Sequence, residues 1–320
     1  MNSAVCTLFE GNYHYGLAAL ANSLHRAGFR GQLYAGYRGE LPDWALSAVA
    51  SPLHSWPLAR SLQIDTGLTI VFLPLETDYH LTNYKADFML ALFDGPVRDA
   101  DALFYVDPDI CVICPWTYVL DWVSCGVALC EDVNSPLPEH HPRRVGWREY
   151  YAKRGVALKF RAPEYVNGGF VGVRGADRAF LTCWKQAMDL MAEEIGSLRL
   201  ALSANSAYRS TGFADCFDRT DQDGLNVAIE SSQIRVSVIG KEAMGLKAGS
   251  ALIPHALGHV KPWRINYVRW SLSGFPPRLA DKAFWSSVAH PISPYSAVTR
   301  RLKQVELAVA SAIGRFFSRA

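Results

Sequence analysis

Ala102-Leu103-Phe104-Tyr105-Val106-Asp107-Pro108-Asp109 decides how this chain is read. Five apolar residues without a break suit a strand covered on both faces, near the middle of a sheet. The acidic pair then falls beyond the carboxyl end of that strand, where ligands of open α/β sheets bind. Two carboxylates two residues apart can share a hard divalent cation, directly or through water, and that cation neutralises a diphosphate. The spacing alone is weak evidence, because Asp99/Asp101 and Asp221/Asp223 repeat it. Only the middle triplet directly follows a long apolar strand. A turn with one solvated aspartate and a helix cap is the alternative reading.

Outward from this point the chain alternates between the two periods. Strands are expected at 4–9, 32–37, 68–73, 102–106 and 126–131. Helices are expected at 15–27, which Gly28 ends, and at 83–93, 147–154 and 178–195. A glycine-rich run occupies 167–173, and the small, polar stretch 203–217 reads as a loop. This order argues for an α/β fold, a mostly parallel central sheet flanked by helices. The expected division is one catalytic domain over 1–270 and an extension over 271–320.

With 320 residues, half of them hydrophobic, the chain has ample material for a core. A net charge of only +2 gives no reason to expect general affinity for nucleic acid. The N-terminus lacks a signal-peptide pattern, and no stretch reaches the ~20 apolar residues of a membrane span. Seven scattered cysteines then read as reduced thiols in a cytoplasmic protein. Cys111 and Cys114 form a C-x-x-C without a second pair, so buried packing is expected of them.

A second constellation lies far downstream. His255-Ala256-Leu257-Gly258-His259-Val260-Lys261-Pro262-Trp263 puts an imidazole, a glycine and an ammonium within seven residues. An imidazole can complete a site holding carboxylates, a lysine can neutralise phosphate, and Gly258 would let backbone approach it closely. A surface turn before a proline is the plainer alternative.

This run resembles the His-x-x-Gly-x-x-Lys-Pro-Trp signature of the family-8 retaining glycosyltransferases. Phe104–Asp109 is similar to their metal motif, and Tyr165-Val166-Asn167-Gly168-Gly169-Phe170 to their Asn-x-Gly strand. Thr220-Asp221-Gln222-Asp223-Gly224-Leu225-Asn226 resembles their Asp-Gln segment. Thr7, Asn12, Tyr13 and Gly16 resemble their nucleotide-binding opening. The five segments keep the family's order from Ala4 to Trp263.

The resemblance implies a GT-A fold and a nucleotide-sugar donor, a UDP-hexose. It implies Mn²⁺ (or Mg²⁺) on Asp107, Asp109 and His255, with Lys261 on the departing diphosphate. Thr7 and Tyr13 would meet the base, and Lys85 the donor. Asn167 and Gly169 would shape the sugar pocket, Asp132 would touch a sugar, and Asp221 and Gln222 would lie near the anomeric carbon. His259 has no expected role. The acceptor would be a glycan, a lipid-linked saccharide or a protein, as in bacterial surface-glycan synthesis. A nucleotide-sugar-binding module without turnover is one competing reading. An Asp-x-Asp phosphohydrolase is another, although that class carries its motif near the N-terminus.

The tail, about 294–320, differs from the rest. Val298, Leu302, Val305, Val309, Ile313 and Phe316 make one apolar helical stripe, and the basic residues there give the tail a net +4. Such a helix would either dock on an anionic membrane surface, with Phe316 and Phe317 dipping in, or pack on the catalytic domain or a second subunit.

Overall fold

The computed structural model describes residues 1–201 and 216–316. Most of the 203–217 loop expectation, and Phe317, therefore lie outside the described residues. Among those residues the strands are β1 (Ser3–Glu10), β2 (Gly31–Arg38), β3 (Val49–Ala50), β4 (Arg60–Asp65), β5 (Leu68–Pro74), β6 (Ala102–Val106), β7 (Val127–Glu131), β8 (Val166–Arg174) and β9 (Val236–Ile239). They join in one sheet in the order β3-β4-β5-β2-β1-β6-β8-β7-β9. The helices are α1 (His14–Arg26), α2 (Lys85–Asp94), α3 (Trp116–Ser124), α4 (Pro142–Ala152), α5 (Ala179–Ile195), α6 (Thr220–Ser231), α7 (Tyr267–Leu272), α8 (Leu279–Ser287) and α9 (Ala297–Ile313).

The sheet is parallel where its core is thickest: β5, β2, β1 and β6 run the same way. Antiparallel pairing enters beside β6, where β8 opposes both β6 and β7, and at the other edge, where β4 opposes β5. The apolar run of β6 reflects cover on both faces. Phe104 and Val106 pack beneath α1 and α3, while Leu103 and Tyr105 point into the layer of α2, α5 and α6. The glycine-rich run becomes β8, in which Gly172 lies directly over Phe104 and has no room for a side chain. All seven cysteines are free, and Cys111 and Cys114 are buried in apolar packing.

A third layer closes over α1. Ile265, Tyr267, Phe284, Trp285, Leu307 and Ala310 cluster against Ala19. Buried Asn22 on α1 pins the layer: its Nδ2 donates to the carbonyls of Ser287 and Ile292, both at 2.7 Å, and its Oδ1 accepts from the Ile292 N–H at 2.8 Å. The tail helix thus packs on the protein through Leu307 and Ala310. The stripe that the sequence singled out is turned elsewhere, with Val298, Leu302 and Val305 each more than 60 % exposed. The helix has two apolar faces, and its periodicity does not say which one meets the core.

One close approach governs the position of the acidic loop. Gly16, in the first turn of α1, lies so near the carbonyl of Pro108 that a Cβ there would overlap it, with the Trp263 ring at 3.2 Å behind. Ser23, two turns on, accepts the Val112 N–H at 3.0 Å. Replacing Gly16 by Ala is therefore expected to destabilise the fold by about 1–3 kcal/mol through overpacking and to displace Asp107 and Asp109. Denaturant unfolding and divalent-ion titration of Gly16→Ala would check both effects.

Candidate active site

The loops beyond β1, β6 and β7 and the start of β8 meet the N-terminus of α6 and residues 255–261 around a cleft of about 590 Å³. Asp107, Asp109 and His255 converge there, with one ligand atom from each within 4.8 Å of the others. His255 Nε2 stands 3.3 Å from Asp109 Oδ1 and 3.8 Å from Asp107 Oδ2. Backbone bonds impose this convergence. The Asp107 N–H donates to the Gly169 carbonyl at 2.7 Å, Ile110 bridges His255 in antiparallel fashion, and the Ala256 N–H donates to the Asp109 carbonyl at 3.0 Å.

The surroundings fit a bound divalent cation. Two carboxylates and an imidazole suit a hard-to-borderline ion. The approach is kept clear by Gly169, where a Cβ would come within 2.6 Å of His255 Cε1 and 2.9 Å of Asp107 Oδ2. His255 Nδ1 is buried without a hydrogen-bond partner among the described residues, so Nε2 alone faces the carboxylates. Burial opposes the charge on Asp109, but His255 and Lys261 beside it outweigh that, and its carboxyl is held well below the usual range.

Each carboxylate of the pair also has its own lysine. Lys261 Nζ donates to Asp109 Oδ2 at 2.6 Å and to the Ala256 carbonyl at 3.0 Å, and it lies 5.8 Å from the centre of the Tyr13 ring. Lys85 is fully enclosed at the start of α2. Its ammonium donates to Asp221 Oδ2 at 2.8 Å and to the Gly168 carbonyl at 2.9 Å, and it lies 3.3 Å from Asp107 Oδ1. Burial works against that ammonium, yet Asp107 and Asp221 keep its pKa above the ordinary lysine value. Lys85 therefore braces two acidic residues rather than projecting freely.

The Asp221/Asp223 triplet divides between two tasks. Residues i and i+2 point to nearly opposite sides of a helix. Asp221 faces the cleft. Asp223 turns inward, where the Tyr165 hydroxyl, Arg143 and the N–H groups of Asp218 and Arg219 all donate to it. Between them Gln222 lines the cleft: its Oε1 accepts weakly from the Gly168 N–H at 3.4 Å, and its buried Nε2 has no partner among the described residues. Asn167 donates to Asp132 Oδ2 at 2.7 Å and accepts from the Gly169 N–H at 2.8 Å, which fixes both residues on the wall.

Tyr13, Lys85, Asp107, Asp109, Asp132, Asn167, Gly169, Asp221, Gln222, His255, Gly258 and Lys261 all line this one cleft. Thr7 and Asn12 are not on its wall. Thr7 is buried within β1 with its hydroxyl unpartnered among the described residues, and Asn12 is exposed at the turn before α1. Two supporting residues had no expected role. Tyr105 donates to Asp107 Oδ1 at 2.8 Å, and Thr82 donates to Asp221 Oδ2 at 3.2 Å. A hydroxyl inside an otherwise apolar strand was the one signal available for Tyr105, since a buried phenol needs a partner. His80 and Arg219 also line the cleft, and neither belongs to a motif that would have marked it.

No family model matches the sequence, and no curated protein matches it. Solved structures do resemble the fold. An active-site mutant of LgtC superposes with a TM-score of 0.52 at 15% identity, covering 93% of this chain and 99% of that one. The bifunctional glycosyltransferase WbbM gives 0.51 at 13% identity, over 95% of this chain but only 52% of that one. GlyE of Streptococcus pneumoniae TIGR4, a glycosyltransferase, gives 0.50 at 14% identity, over 97% and 64%. The chain thus spans about half of WbbM and under two thirds of GlyE. The class that the architecture defines is the α/β glycosyltransferase fold. Within that class it is the GT-A-like form implied by the motif resemblance, and its match to LgtC runs over nearly the full length of both chains.

Because Lys261 partly neutralises Asp109, it competes with a cation for that carboxylate. Lys261→Met is expected to tighten Mn²⁺ binding several-fold in the absence of nucleotide, while weakening binding of a nucleoside diphosphate. Calorimetric titration of each, alone and together, would check both directions.

Proposed function

We propose that the chain is a metal-dependent, retaining hexosyltransferase that moves a sugar from a nucleoside-diphosphate donor, UDP-linked, to a glycan or other acceptor. The observation that carries this reading is the convergence of Asp107, Asp109 and His255 with Lys261 and Gln222 in one cleft. On this reading residues 1–270 are the catalytic domain and 271–320 an extension of it. Mn²⁺ or Mg²⁺ on the three ligands would neutralise the diphosphate as it departs.

The protein's own groups account for the remaining steps. Lys261 exchanges Asp109 for a phosphate oxygen, and Tyr13 offers an exposed ring at the nucleotide end. The bond from the anomeric carbon to the diphosphate oxygen breaks with its electron pair leaving on oxygen, giving an oxocarbenium-like centre. A retaining hydrolase would offer a carboxylate there. In this cleft Asp221 is engaged by Lys85 and Thr82, and Asp132 by Asn167 and Asn134. The Gln222 amide, its Oε1 only weakly bonded to the Gly168 N–H, is the group left to line the reacting centre, that carbonyl oxygen supporting positive charge. The acceptor hydroxyl then adds on the face the diphosphate leaves, and its proton passes to the diphosphate oxygen. Retention follows.

The phosphohydrolase alternative would leave His255 and Lys261 without a task. A binding module without turnover would not need the weakly held Gln222 amide in the cleft. The reading also includes a peripheral position on an anionic membrane surface. No described helix is long and apolar enough to cross a membrane, but α9 presents its apolar stripe to solvent beside Arg301 and Arg315.

Gln222→Ala is expected to lower kcat by about 10²–10³-fold, the scale for losing one preorganised polar group at a reacting centre, with metal and UDP affinities nearly unchanged. A panel of nucleotide sugars screened for thermal stabilisation in Mn²⁺, followed by turnover assays of the best donor, would test the reading. Binding without transfer or hydrolysis of any donor would favour the module.

A further inference from the structure

The basic residues of this chain are gathered at one end. Residues 261–320 carry ten lysines and arginines against two acidic residues, a net +8 in a chain whose total is +2. Large apolar side chains face solvent on the same segment: Leu272 and Phe275 at the end of α7, and Val298, Leu302, Val305 and Val309 on α9. The two helices pack directly. The Tyr267 N–H donates to Glu306 Oε1 at 2.5 Å, Lys303 Nζ donates to the Ile265 carbonyl at 2.9 Å, and Gly314 sits against Pro276.

On the outer side of α7 opens a pocket of about 550 Å³, lined by Arg264, Asn266, Arg269, Trp270, Ser273 and Phe275. Neighbouring cations are engaged: Arg278 by Asp281, Lys303 by Glu306 and Arg300 by the Ala289 carbonyl. Among the described residues the side chains of Arg264 and Arg269 have no ion-pair or hydrogen-bond partner. Two unengaged guanidiniums over one pocket, next to an indole and a phenyl ring 5.9 Å apart, match a ligand with an anionic oxygen group at one end and an apolar body at the other.

We propose that this pocket seats the phosphate headgroup of an anionic membrane lipid, with Arg264 and Arg269 on the phosphate and Trp270 and Phe275 at the depth of the glycerol and first methylenes. The stripe of α9 enters the interface beside it. The proposal rests on the peripheral-membrane reading above and adds a specific site to it. Arg264 directly follows Trp263, whose ring meets Tyr13 of the cleft at 5.5 Å between centroids. A seat so placed holds the cleft beside the headgroup layer and favours a saccharide carried on a lipid as acceptor.

Co-sedimentation of the full chain with phosphatidylcholine vesicles, with and without phosphatidylglycerol, tests the proposal. Loss of a loosely used surface cation weakens such binding roughly fivefold. Arg300→Gln with Arg301→Gln is therefore expected to cost about 30-fold. Arg264→Gln with Arg269→Gln is expected to exceed 100-fold, roughly, because an oriented contact is lost as well as charge. Lipids brominated near the headgroup should quench tryptophan emission, and Trp270→Phe should remove much of that quenching. Equal losses in the two double variants, or quenching untouched by Trp270→Phe, would refute the seat and leave the membrane reading standing. Failure of the wild type to bind any vesicle would end both.

Discussion

The antiparallel bridge between Ile110 and His255 is the constraint on which the site depends. Residues 145 positions apart in sequence reach hydrogen-bonding register here, and the flanking bonds, Cys111 N–H to the Pro254 carbonyl and Ala256 N–H to the Asp109 carbonyl, make it a short two-stranded clamp. Without it the acidic loop would be one of three similar triplets. With it, Asp109 and His255 are held side by side by backbone geometry, which is stiffer than any pairing of side chains. Gly16 presses on the loop from the other side, and its missing side chain lets α1 come down against Pro108.

Charge balance is the second requirement. Asp107, Asp109 and Asp221 gather in one cleft with Asp109 buried, an arrangement that is costly unless compensated. Lys85 compensates two of them and Lys261 the third. The two lysines are not equivalent. Lys85 is enclosed and tied to three oxygens, so it serves as a fixed brace that sets the spacing of Asp107 and Asp221. Lys261 sits at the mouth under Tyr13 with fewer ties, and its flexible stem suits it to exchange partners when an anionic ligand enters. The cleft is thus built from one permanent counter-ion and one that can move.

How much of this was legible in the sequence varied with the range of the interaction. The apolar run 102–106 gave β6 to the residue, because cover on both faces leaves a continuous hydrophobic signature. The edge strands β3, β4 and β9 were missed, since half-exposed residues such as Arg60 and Gln63 blur that signature. Helix α6 was recognised only as a motif, because its buried polar residues Asp223, Asn226 and Glu230 conceal the helical period. The convergence of Asp107, Asp109 and His255 was legible through the family resemblance and not through spacing, for nothing local ties position 255 to 109. The braces Tyr105 and Thr82 depended on which way each side chain points, which emerges only on folding.

The C-terminal layer changes what counts as the edge of the site. Trp263 closes the motif that supplies His255 and Lys261. Its ring meets Tyr13 on the cleft side, 5.5 Å between centroids, and Phe284 of α8 on the other, at 5.4 Å. The Tyr13 end of the cleft therefore leans on an element that a reading of the motifs alone would place outside the domain that carries them. Asn22 binds that element to α1 through three buried hydrogen bonds, and α1 in turn positions the acidic loop through Gly16. A displacement of the C-terminal layer would thus act on the cleft by two routes, through Trp263 onto Tyr13 and through α1 onto Asp109. Such coupling needs no moving domain, only close packing between three layers that share one helix.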